Sequence, residues 1–329
     1  MLAACESGPE VLEISGPAQG TTYSVQVVAP PDGLDEAKLR ATVEAELAAV
    51  DELLSIWRDD SHLARFNGAP AERWVPVPAE LVELVARSLE IGRRTDGAFD
   101  ITVAPLLRLW GFGPEAAGPR HVPGDAAIRE ARARTGPDMI GTRREPPALR
   151  KARAGVLVSL DGIAQGYTVD RLADRLDAAG ADRYLVELGG ELFGRGRNAR
   201  GESWTIGVEE PTPGVRRLRG TVGIDGVGMT TSGDYRDFFE ADGERYSHTI
   251  DPRTGRPADH DLRSVTVIAR SAADADGLAT ALLVLGPDAG LAYAREHDLA
   301  ALFIAGDDDG YTGTATAAFE RYMSRGDKP

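Results

Sequence analysis

The sequence has one cysteine, Cys5, so no internal disulfide can form. No unbroken apolar stretch reaches eighteen residues, and a membrane-spanning helix is therefore not expected. Positive charge is also short: 37 Lys and Arg stand against 52 Asp and Glu, a formal net charge of -15. A field of that sign repels phosphate backbones and anionic lipid heads, which argues against a nucleic-acid binder. It repels a dinucleotide too, so a site for one needs a metal ion or local donors to offset the phosphates. The G-x-S-x-G elbow of serine hydrolases is absent, and neither the P-loop nor the G-x-G-x-x-G spacing occurs.

What is present is ordinary for a globular enzyme: 329 residues, 42% hydrophobic and 27% charged, enough to bury a substantial core. Alternation over residues 11–29, with Tyr23, Val25 and Val27 on one face, predicts a β-hairpin turning near Gly16–Gly20. Leu39, Val43, Leu47, Val50 and Leu54 recur at helical spacing, as do Leu81, Leu84, Val85 and Leu89. Residues 114–154 are rich in Pro, Gly, Arg and Ala; they read as a surface excursion with at most one short helix, near Asp125–Arg134.

Val156–Leu160 reads as a strand, followed by a turn at Asp161-Gly162 and a helix from Gln165 to Ala179. Further strands fit Tyr184–Glu187, Trp204–Val208, Thr221–Ile224, Ser264–Ala269 and Ala300–Ile304, with helices at Ala272–Leu285 and Pro287–Glu296. Strands and helices mix without regular βαβ alternation, which predicts an α+β fold of mixed or antiparallel sheets with packed helices. No internal repeat or linker appears, so residues 11–329 are read as one domain. Ahead of it, Leu2-Ala3-Ala4-Cys5 resembles a bacterial lipobox, with residues 6–10 as a tether. The basic and apolar regions that precede a lipobox are missing, and the other reading is a stray cysteine in an unstructured N-terminus.

Three constellations carry chemistry. Asp276 and Thr280 are four residues apart, on one face of a helix. Their hard oxygens suit Mg²⁺ or Ca²⁺; the plainer reading is a capping Asp and a Thr bonded back to its own helix. Asp161–Tyr167 lies between a strand and a helix, where glycines admit a ligand to the backbone and the Ala164 carbonyl offers a third oxygen; a bare strand–turn–helix is the alternative. Tyr246–Gly255 joins His248 to an Asp-Pro-x-Thr-Gly turn, and histidine is the side chain best placed to take a hydroxyl proton near neutral pH. A lone histidine is more often structural, and the chain has five.

Taken in order, nine segments resemble the FAD:protein FMN transferase (ApbE) family. They are Gln19–Tyr23, Ser61–Asn67, Thr95–Leu106, Leu109–Gly113, Asp161–Tyr167, Glu187–Glu191, Thr231–Arg236, Tyr246–Gly255 and Ala275–Leu285, and the resemblance runs from about residue 18 to residue 305. It implies an α+β domain with an FAD site between sheet and loops, and Mg²⁺ as cofactor. By position, Asp276, Thr280 and the Ala164 carbonyl would hold the metal, and His248 would be the catalytic base. Gln19, Trp57, Ala98, Phe99, Asp100, Asp161, Tyr167 and Ile250 would contact FAD. Gln19 replaces a common methionine, Trp57 a common tyrosine, and Gln165 a common lysine.

The expected reaction cleaves FAD, joins FMN by a phosphoester bond to a Thr or Ser of an acceptor flavoprotein subunit, and releases AMP. The rivals are an FAD pyrophosphatase yielding FMN and AMP, and a flavin-binding lipoprotein without chemistry. With a lipid on Cys5, the enzyme would sit at the extracytoplasmic face of the bacterial inner membrane.

Overall fold

The alternating hairpin forms as the pattern dictates, and it starts the main sheet. In the computed structural model, which describes residues 8–113, 120–212, 217–234, 237–307 and 310–324, strands Val11–Ala18 and Thr21–Val28 turn at Gln19-Gly20. Both turn residues have positive φ, 48° and 76°, a conformation that glycine takes freely and a glutamine only under local constraint. Six more strands extend this pair, in the order Tyr184–Leu188, Glu191–Arg195, Val227–Gly233, Leu262–Ala269, Ala300–Asp307 and Gly310–Ala315. Every neighbouring pair in this eight-stranded sheet is antiparallel, which fits the α+β expectation.

One face of the sheet carries the helices. Glu36–Leu54 starts at the N-cap Asp35, whose side chain accepts from Lys38 N, and buries Leu39, Val43 and Leu47 with the first hairpin. Ala79–Arg94 and Ala272–Glu296 build the largest core with Val265 and Val267 of the sheet, while Ala164–Ala178 buries Val169, Leu172 and Leu176 in the cluster under the hairpin. The other face is covered by the ribbon Trp204–Glu209 and Leu218–Ile224 and by Phe319. Helix Ala272–Glu296 is long and apolar enough to cross a bilayer by length and composition only. It is broken at Gly286 (φ 82°) before Pro287, where the two predicted helices meet, and much of it is buried in the core.

Two expectations are corrected. Val156–Leu160 is buried but forms no ladder. Its partner is a side chain: Asn67 Nδ2 donates to the Val158 carbonyl and Asn67 Oδ1 accepts from Val158 N, both at 2.8 Å. The amide thus supplies the donor and acceptor that a neighbouring strand would present. The 114–154 excursion holds more than one helix: after Asp125–Arg132, strands Ile140–Arg143 and Ala148–Lys151 form a hairpin that pairs with Trp74–Pro76. Its Arg143 and Arg150 stack on the Trp74 ring, so polar residues that read as loop form a sheet through a partner distant in sequence. Residues 114–119 of this stretch lie outside the described residues, as does Cys5.

Candidate active site

Helices Ala164–Ala178 and Ala272–Glu296 meet at their N-termini, and small residues let them do so. A Cβ on Gly166 would lie 2.4 Å from the Ala272 carbonyl oxygen, and one on Gly228 would lie 2.4 Å from Ala272 N. Asp170 then accepts from the N–H groups of Ala272 and Ala273, at 2.7 and 3.0 Å, capping one helix from the other. Ser271 is the N-cap residue, accepting from Asp274 N, and Arg87 ties both Ser271 and Asp274 to helix Ala79–Arg94.

This leaves Asp276 free of capping its own helix. Its Oδ2 accepts from Gly166 N at 3.1 Å, and Thr280 Oγ1 lies 3.3 Å from Ser232 Oγ. Asp276 is fully buried; desolvation, aided by the nearby Asp170 and Asp161 carboxylates, pushes its pKa up to about 7. Burial also raises the pKa of Asp161, against the hydrogen bond it accepts from Ser159 Oγ. Asp100 is raised by the same cause, although Thr102 donates to it from both its N–H and its hydroxyl.

These carboxylates line a cavity of about 400 Å³ together with Ala98, Phe99, Gln165, Glu191, His248, Ile250 and Thr280. A second compartment of about 360 Å³ adjoins it, sharing Leu107, Phe112, Gly113, Ser159 and Asp161, and ends at Ile56, Asp59 and Asn67. No Lys or Arg is among the described residues lining the first compartment, whereas Asp100, Asp161, Glu191, Asp237 and Asp276 all are.

The opposite wall comes from the short ribbon of Phe238–Ala241 with Glu244–Ser247, and from Ile250 just beyond it. A small apolar cluster of Leu106, Trp110, Phe112, Ile128 and Ile250, with Phe239 and Tyr246 packed on it, supports this wall. His248 Nδ1 lies 3.0 Å from the Asp237 carbonyl oxygen. A carbonyl only accepts, so Nδ1 carries the proton and Nε2 is left as the basic nitrogen. Of the five histidines, His248 is the one that lines this cavity.

The predicted residues thus divide. Ala98, Phe99, Asp100, Asp161, His248, Ile250, Asp276 and Thr280 converge on one cavity. Ala164 sits behind it at the start of its helix, its carbonyl accepting from Thr168 Oγ1 at 2.8 Å. Gln19 is bonded to Thr168, and Tyr167 accepts from Arg171 and packs on the main core; neither lines either compartment. Trp57 is 76% exposed, beside Ile56 and Asp59 at the far end of the second compartment. Glu191, Ser232 and Asp237 line the site without having been assigned to it from sequence, although each lies in or beside a segment that carried the resemblance. Tyr235 and Arg236 of the Thr231–Arg236 segment lie outside the described residues.

A buried carboxylate and a histidine lining one cavity, with a second compartment adjoining it, are the arrangement of an enzyme active site. Comparison with known proteins narrows it. The sequence model of the ApbE family matches residues 19–303. The FAD:protein FMN transferase of Klebsiella pneumoniae is 42% identical over 94% of this chain and 89% of its own. Among solved structures, the apo flavinyl transferase ApbE of Pseudomonas stutzeri superposes with a TM-score of 0.88 at 44% identity, covering 96% of this chain and 98% of that one. The flavin transferase ApbE of Vibrio cholerae gives 0.87 at 37% identity, covering 95% and 99%. The chain belongs to the ApbE family.

Proposed function

We propose that this chain, an FAD:protein FMN transferase by family, splits the FAD pyrophosphate with the aid of Mg²⁺ and joins FMN to a protein Thr or Ser. The observation that carries the metal requirement is the buried Asp276 carboxylate, in a compartment lined by five carboxylates and, among the described residues, no Lys or Arg. Among the described residues no Lys or Arg lines this compartment to meet a bound pyrophosphate, and hard oxygen donors fit a hard divalent ion. Among the described residues no three His, Cys, Asp or Glu side chains come close enough to hold a metal ion by themselves. Asp276, Thr280 and the Ala164 carbonyl would therefore hold the ion together with water and substrate phosphate, the arrangement that Mg²⁺ favours. When bound, the ion neutralises the pyrophosphate and stabilises the charge of the departing AMP.

The protein's own residues do the rest. Phe99 and Ile250 provide apolar surface for the flavin half, and the second compartment receives the adenosine half, with Trp57 at its end. Tyr167 and Gln19 act from behind, through the helix that begins at Ala164. His248 Nε2 takes the proton of the incoming hydroxyl as its oxygen bonds to the FMN phosphorus. The bond from that phosphorus to the bridging oxygen breaks, and AMP leaves with the electron pair. The product is a phosphoester.

The test is mass spectrometry of acceptor candidates after incubation with FAD and Mg²⁺. A gain equal to one FMN, with AMP in the supernatant, is expected; FMN and AMP forming equally fast without acceptor would make water the nucleophile. Lipid attachment at Cys5, with anchorage at the extracytoplasmic membrane face, completes the proposal. Its check is a lipid-sized mass on the Cys5 peptide of protein from membranes, absent in Cys5→Ser.

A further inference from the structure

The chain carries net charge -15, yet one stretch runs the other way: residues 120–153 hold nine Lys and Arg against four Asp and Glu. Much of that charge is already committed within the fold. Arg134 pairs with Glu130, Arg144 with Glu83 and Arg120 with Asp237; Arg143 and Arg150 stack on Trp74, Arg153 donates to the Ala133 carbonyl, and Lys151 donates to the Asn67 carbonyl. Two arginines remain. Arg129 and Arg132, on helix Asp125–Arg132, are exposed and have no ion-pair partner among the described residues.

Both line an open depression of about 430 Å³, which is also lined by Arg253, Thr135 and Gly136. Arg253 is held by Asp251, and Asp125 by Arg256, so the nearby carboxylates have partners of their own. The depression shares Asp100 and Pro252 with the reaction cavity, so the two adjoin. Two guanidinium groups without an ion-pair partner among the described residues thus lie next to a site whose own described lining has no Lys or Arg. FAD is provided for elsewhere, by the two compartments. The second substrate, a protein, must reach the same cavity from outside.

We propose that Arg129 and Arg132 form the docking surface for an acidic segment of the acceptor protein, next to the hydroxyl that takes up FMN. This rests on the transferase reading above and names the chemistry of its partner. Guanidinium groups bind carboxylates bidentately, and an isolated basic patch on an acidic protein selects and orients anionic partners against a repelling background. A basic depression adjoining the reaction cavity, and not a flat basic face, favours a polypeptide over a membrane surface, because a peptide can enter a concave site while a bilayer cannot.

The test uses the full chain with FAD and Mg²⁺, and two fluorescent threonine peptides of equal length, one flanked by eight glutamates and one by eight lysines. The acidic peptide should bind with an affinity that falls as salt rises, and at least about tenfold more weakly to Arg129→Glu/Arg132→Glu, as loss of two charge-assisted contacts implies. Arg129→Gln/Arg132→Gln should give an intermediate loss, and unchanged melting temperatures would exclude misfolding. Equal binding to the wild-type and reversed proteins overturns the proposal. So does binding to vesicles with 30% phosphatidylglycerol that the double reversal abolishes while peptide binding is absent. Conversion of FAD to FMN and AMP, followed in the same samples, tests the underlying reading separately: its loss in the wild type points to that reading and not to the docking surface.

Discussion

The two walls of the reaction cavity are built by different means. The wall with Asp276 and Thr280 is two helices locked backbone to backbone, with Gly166 and Gly228 against Ala272 and Asp170 bridging the helix ends. The wall with His248 is a short ribbon resting on a small aromatic cluster, its histidine oriented by one carbonyl. The difference matches the two proposed tasks. A metal site tolerates little displacement of its ligands, so it is set in the deepest packing of the molecule. A base that must meet a hydroxyl carried by another protein belongs on the more open side, where a partner can approach.

This comparison can be broken, and the largest effect should come from the packed wall. Asp276→Ala should lower FMN transfer by about a thousandfold or more while the protein stays folded, since it removes the one buried carboxylate proposed to hold the ion. Thermal melts with and without Mg²⁺ check it: the metal-dependent rise should vanish, and retention of activity under chelation would end the metal assignment. His248→Ala should cost transfer on the order of a hundredfold to ten-thousandfold but keep the Mg²⁺-dependent rise in Tm, because it leaves the other wall intact. Stopped reactions analysed for AMP, beside the melts, separate the two.

A smaller effect tests the packing itself. Gly166→Ala places a methyl 2.4 Å from the Ala272 oxygen and should destabilise the protein by about 1–3 kcal/mol, seen as a lower urea midpoint. The same substitution at Gly68, which has open space around it and no positive φ, should leave the midpoint nearly unchanged. The smallest effect concerns pH. Burial pushes Asp170 up to about 6, above its ordinary value of 3.8, so between those values the folded state holds a proton that the unfolded state releases. Stability from this group is therefore present at low pH and lost as pH rises from about 4 to about 6. Asp170→Asn should flatten the Tm profile over that window, and an unchanged slope would assign it to other groups.

Much of the fold was legible because periodicity is a local property. The hairpin, the long helices and the break at Gly286-Pro287 follow from the spacing of Tyr23, Val25 and Val27, of Leu39 to Leu54, and from proline's missing N–H. Val156–Leu160 misled because a buried apolar run reads the same whether its partner is a strand or the Asn67 amide. The 140–151 hairpin stayed hidden because its third strand, Trp74–Pro76, is remote in sequence and its polar residues are recruited by stacking on Trp74.

The site divides along the same line. The ordered segments around Asp161, His248 and Asp276 identified the family, since residue type and order survive without coordinates. Spacing alone could not choose between Asp276 as a helix cap and as a site residue. The structure makes Ser271 the cap and turns Asp276 to Gly166, because the neighbouring helix begins there. The deficit of positive charge was likewise visible from the start, and it called for a cation beside any bound pyrophosphate. Only the tertiary structure gathered five carboxylates around one cavity and left Arg129 and Arg132, beside it, without an ion-pair partner among the described residues, because charge is counted along the chain but neutralised in space.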